Sequence, residues 1–166
     1  MSRVDPPGVA DELTTLVAFL DFHRETLLIK CAGLDADQLA RRAIPPSSMS
    51  LLGLVRHLSE VETGWFSRID HVPAQFHYVT DDDPDGEFDN AVADDAVVTE
   101  ALATFHDVLA TSREITARHA LEDTFVHRTG EVLSMRWVLV HLIEEYARHN
   151  GHADLLREAI DGATGE

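Results

Sequence analysis

The chain has 166 residues, about one domain's worth, and its 45% hydrophobic and 7% aromatic content is that of a globular protein, not a disordered one. Thirteen basic against thirty acidic residues give a formal charge of −17, a field that repels nucleic acid, and no basic patch interrupts it. One cysteine, Cys31, allows neither a disulfide framework nor a cysteine-type zinc site, and no segment has the apolar length of a membrane span or the pattern of a signal peptide. The expectation is a single cytoplasmic domain over residues 1–166 that binds neither nucleic acid nor membrane.

In chain order, apolar residues recur at helical spacing from Ala10 to about Ala32, through Leu13, Leu16, Val17, Leu20, Leu27, Leu28 and Cys31, and Gly33 supplies a stop. Asp35 and Gln38 have the spacing of a capping box, so DADQLARR reads as a short helical turn ended by Pro45 and Pro46. Ser48 or Ser50 caps a second long helix whose apolar face runs through Leu51, Leu54, Val55, Leu58, Val61, Trp65 and Ile69 to about Asp70. A third runs from about Asp95 to His119, and a fourth from after Ser134 to about Ile160, closed by Gly162. Strand alternation is nowhere sustained. The long connection between the second and third long helices includes the acidic run TDDDPDGEFD and is long enough to cross the length of a helix. The fold expected is an all-α four-helix bundle with that crossover. Pro84 and the missing final glutamate argue against a calcium loop, so the acidic run reads as solvated.

The last helix carries the polar puzzle, in HLIEEYARHNGH. One core seam passes through Leu139, Leu142, Tyr146, His149, Ala153, Leu156 and Ile160; a neighbouring seam passes through Val138, Leu142, Glu145, His149, His152, Leu156 and Ala159. Glu145 lies one turn before His149 and projects to the same patch, and a carboxylate beside a core seam needs a partner. Glu144 and Arg148 need no more than a surface ion pair. His57, between Leu54 and Val61, brings another imidazole to a core face. Each observation alone fits a satisfied core histidine or a salt-bridged pair; together His57, Glu145 and His149 suit a divalent transition ion with an open position. His152 reads as a partner of the ligands or as a fourth ligand, His141 as structural, His23 and His106 as helix-edge residues. Trp65 and Tyr146 could line a pocket but read better as core. No role follows for His71, His77, His119 or His127.

The blocks GLDADQLARRAIPPSSMSLLGLVRHLSEVETGWF and HLIEEYARHNGHADLLREAIDG resemble the DinB-like, or YfiT-like, superfamily of metal-dependent helical proteins, and most closely its actinobacterial mycothiol-dependent branch. The resemblance spans nearly the whole chain. It implies an up-down-down-up bundle with a divalent ion, often zinc or nickel, with iron also possible, held by His57 in RHL and by Glu145 and His149. Many members have histidine where Glu145 stands; the glutamate is similar to that of mycothiol-dependent maleylpyruvate isomerase and favours the thiol-using branch. That isomerase has a further C-terminal domain, whereas this chain stops soon after Gly162, so isomerisation is not expected.

The activity implied is S-transfer in detoxification: the ion activates a low-molecular-weight thiol, mycothiol, as a thiolate that attacks a small electrophile. His152 is the candidate catalytic side chain, orienting a ligand or moving a proton. Two rivals stay open. One is a metal-dependent hydrolase with His152 as base; the other is a non-enzymatic stress-response bundle whose ion, closed in by His152 as fourth ligand, is structural. Relatives often form homodimers, and a homodimer is possible here.

Overall fold

Caps written into the sequence set the ends of the helices. In the computed structural model, which describes residues 3–165, the Asp11 carboxylate accepts the Thr14 N–H at 3.0 Å and starts α1, Glu12–Cys31. Gly33 follows in the left-handed region, at φ 77°. The short α2, Ala36–Ala40, carries the full capping box: Asp35 accepts the Gln38 N–H while the Gln38 side chain accepts the Asp35 N–H. Of the two serines that could start α3, Leu51–Ile69, Ser50 does so, its hydroxyl accepting the Gly53 N–H at 3.0 Å. A further long helix, α5, spans Asp95–Arg118, and the last, α6, runs Met135–Asp161 from the Ser134 cap to Gly162 at φ 79°.

The protein is mostly helical. Pairing is by long helices: α1 packs against α6, α3 against α5, and α3 also meets α6. Leu20 and Leu27 of α1, Leu54 and Leu58 of α3, Phe105 of α5, and Leu139, Leu142 and Ala153 of α6 are fully buried between them. One polar knot crosses this core. The Arg24 guanidinium donates two 2.7 Å hydrogen bonds to the Glu62 carboxylate, and the Tyr146 hydroxyl donates to the same carboxylate at 3.0 Å. All three side chains are buried, so each charge or hydroxyl depends on the others. The knot joins α1, α3 and α6 and fixes their relative register.

Two short elements depart from the sequence reading. Thr124–Val126 (β1) and Val132–Ser134 (β2) form an antiparallel hairpin in which Phe125 faces Leu133, turning at Gly130 with φ 87°. Strands of three residues carry too little alternation to be seen, although the tight turn before α6 needs a glycine. Within the acidic run, Gly86–Asp89 forms a helical turn, α4, that packs on α3. The tip is therefore not wholly solvated. Arg56 donates to the carbonyls of Gly86 and Asn90, and Glu60 accepts the backbone N–H groups of His77, Tyr78 and Val79. Two charged side chains of α3 thus hold down the crossing segment by its backbone. Phe88 lies so close to α3 that a Cβ at Gly53 would come within 2.7 Å of its ring.

Candidate metal centre

His57 sits on α3 and Glu145 and His149 on α6, two helices that pack together and whose Leu54, Leu58, Leu142, Tyr146 and Ala153 belong to one buried core. That seam, the first of the two read from the sequence, is the core; Glu145 and His152 on the second are only partly buried, and its Ala159 is exposed. The outcome is a rim. Glu145 and His149 lie at the edge of the core, with side chains 15% and 11% exposed, and His57 at 23%.

The three residues each offer one ligand atom, and these atoms all lie within 4.8 Å of one another, an arrangement that could hold a metal ion. Glu145 Oε2 is 3.5 Å from His149 Nε2, and the His57 and His149 rings are 4.8 Å apart between centroids. Burial, reinforced by the neighbouring His57, pulls the His149 pKa down to about 4 although Glu145 pulls it up. At neutral pH His149 is therefore an uncharged imidazole with a lone pair to give. Two imidazoles and one carboxylate form a donor set suited to a divalent transition ion.

Around the triad, other side chains hold the donors in place. The buried Glu87 of α4 sets Oε1 3.3 Å from His57 Nδ1. Holding the proton on Nδ1 leaves Nε2 as the nitrogen able to bind a cation. Phe88 stacks on the same ring at 5.2 Å. On the α6 side, His152 Nδ1 lies 3.4 Å from His149 Nδ1, outside the triad, and Arg148 contacts Glu145 at 3.2 Å. Arg148 also reaches Glu144, so the expected surface pair is present, at 3.6 Å, but shared.

The remaining histidines sort by what they touch. His141 stacks on Trp137 at 4.8 Å and stays 3.9 Å from Glu145, a packing role. His23 bonds with Asn150, and His119 bridges Asp70 and Asp123. Tyr146 is core, tied to Glu62, whereas Trp65 is half-buried and stacks on His127 at 5.6 Å. Sequence reasoning missed Glu87 and His127. Glu87 lies in a single helical turn and His127 in a hairpin turn, both too short for helical spacing to give a signal; the hint for Glu87 was one glutamate followed by an apolar Phe88 in an otherwise Asp-rich run.

Helices that converge a histidine from one long element on a Glu/His pair from another define a metal-capable helical protein. The family model for mycothiol S-transferases matches residues 15–162, and the chain belongs to that family. Among solved structures it is similar to the crystal structure of a conserved protein from Enterococcus faecalis, with a TM-score of 0.68 and 15% identity over 93% of this chain and 100% of that one. That likeness shows a shared fold. No curated protein sequence matches the chain.

Proposed function

We propose that this protein is a metal-dependent S-transferase that joins mycothiol to small electrophiles. The observation that carries the reading is the His57, Glu145 and His149 set, found at mutual ligand distance in a chain of the mycothiol S-transferase family. Pairing of α1 with α6 and α3 with α5, and the long segment between α3 and α5, support an up-down-down-up four-helix bundle as its scaffold.

A divalent ion there, with zinc the best match, supplies the acidity that makes a thiol a thiolate at neutral pH. The chain's own residues prepare the place. His149 is kept neutral by burial, Glu87 fixes the tautomer of His57, and Glu145 is the one carboxylate among the three donors. His152 acts through His149: by accepting the Nδ1 proton in a hydrogen bond it holds the tautomer that leaves Nε2 toward Glu145. His57, Glu145 and His149 would hold such an ion with three protein ligands, the number typical of catalytic sites and not of four-ligand structural ones, which favours chemistry over a purely structural role.

The sulfur has to come from outside. Cys31 is the chain's one thiol, and burial pushes its pKa up to about 12, so it is neither accessible nor ionised. The test is a panel of Michael acceptors and alkyl halides incubated with the protein, with and without mycothiol. The expected result is thioether product that requires both protein and mycothiol; mycothiol consumption no faster than the uncatalysed rate across the panel would overturn the reading.

A further inference from the structure

Beside His57 opens a groove of about 290 Å³ that runs along one face of α3. His57, Val61, Gly64 or Trp65, and Arg68 follow one another on that face at steps of three or four residues, about one turn each. The opposite wall brings Glu87, Phe76, and the hairpin residues His127 and Arg128. The groove thus begins at a proposed metal ligand and ends between two arginines.

Those arginines are unlike most others in this acidic chain. Arg24, Arg42, Arg113, Arg118, Arg136 and Arg157 each hold a carboxylate within 3.0 Å. Among the described residues neither Arg68 nor Arg128 pairs with a carboxylate. Arg68 bonds only the Gly64 carbonyl and lies over the Trp65 ring at 5.3 Å; Arg128 is exposed in the hairpin turn. Burial and the nearby charge of Arg128 both push the Arg68 pKa down, so the two cations repel each other and an anion between them would relieve both.

Acid sits at the other end. The buried Glu60 and Glu87 line the groove near His57, and one carboxylate oxygen of each has no hydrogen-bond partner. Like charge disfavours a ligand's anionic group beside those carboxylates, and the two guanidiniums favour it at the outer end. Because Arg68 folds back to the level of Gly64, the distance from the His57 level to the guanidinium is about 10 Å.

We infer that this groove binds the electrophilic substrate and selects one with a terminal carboxylate, held by Arg68 and Arg128 about 10 Å from its reactive carbon. Trp65, Phe76 and His127 cover the apolar middle of such a molecule. The orientation, reactive carbon inward, rests on the transferase reading; the anion preference does not.

Binding is therefore measured without thiol or turnover. 6-Succinimidohexanoate and uncharged N-hexylsuccinimide, which share an unreactive ring and a chain of matching length, are titrated into the isotopically labelled full chain at low salt and followed by amide chemical shifts. The carboxylate is expected to bind about tenfold more tightly, with shifts centred on Gly64, Trp65 and Arg128, and the advantage should shrink as salt rises. Arg128→Glu, in an exposed turn remote from the core, should remove or invert the preference, and Arg68→Gln with Arg128→Gln should equalise the two compounds. Equal binding to the parent protein overturns the inference. So does a preference that survives in Arg128→Glu, which would mean that the carboxylate is read elsewhere, including at a metal. If the preference holds while no member of the electrophile panel, 6-maleimidohexanoate included, gives a mycothiol adduct above background, the transferase reading fails and the groove assignment stands.

Discussion

Glu87 is the residue whose removal separates an oriented metal ligand from a merely adjacent one. Without its carboxylate the His57 ring is free to place either nitrogen inward, so Glu87→Ala should weaken zinc binding by about 10- to 100-fold while leaving the fold intact. Competition against a chromophoric chelator measures this, and unchanged affinity would mean that Glu87 positions nothing. His149 makes a different prediction, for the metal-free protein. An unfolded histidine takes up its proton near 6.5, whereas His149 in the folded chain does so near 4. Between those values the unfolded state binds more protons, so stability from this group is present above about 6.5 and falls as the pH drops toward 4. The loss is about 2 kcal/mol after allowing for the imidazole's contact with solvent. Urea denaturation from pH 7 to pH 4 in a chelator should show that slope, and His149→Gln should flatten it; equal slopes in the two proteins would contradict the assignment. At this scale His57, Glu145 and His149 were legible because helical spacing ties residue number to direction. Glu87 was not, because no periodicity governs the crossing segment.

At the scale of elements, the long helices were legible from period and caps together. Ser50, Asp35 with Gln38, Ser134 and Gly162 punctuate the chain where they were read to do so. The hairpin was hidden by its brevity, and α4 by lying in a run that looks solvated on charge alone. What the sequence could not display is the knot of Arg24, Glu62 and Tyr146, since it depends on three helices meeting. Nothing about Glu62 in isolation, one of two glutamates on its helix, marks it as fully buried. Its energetic consequence is large: Glu62→Ala leaves the Arg24 charge buried without its partner and should cost about 3–5 kcal/mol. Chemical denaturation reads this directly. A loss below about 1 kcal/mol would show that the pair is solvated and does not fix the register of α1, α3 and α6.

Over the whole molecule, net charge and local charge point in opposite directions. A formal −17 predicts that the surface repels anions, yet the groove beside the proposed metal site ends in two arginines that have no carboxylate partner among the described residues. Composition cannot reveal this, because Arg68 and Arg128 are far apart in sequence and meet only through the hairpin folding back on α3. The account rests on α3 and α6 presenting His57, Glu145 and His149 to one cation. Metal analysis of protein purified without a histidine tag, alongside His57→Ala, Glu145→Ala and His149→Ala, tests that claim most directly. The account predicts one divalent ion per chain in the parent and strongly reduced occupancy in every variant that remains folded. Full occupancy retained in the three folded variants would contradict it.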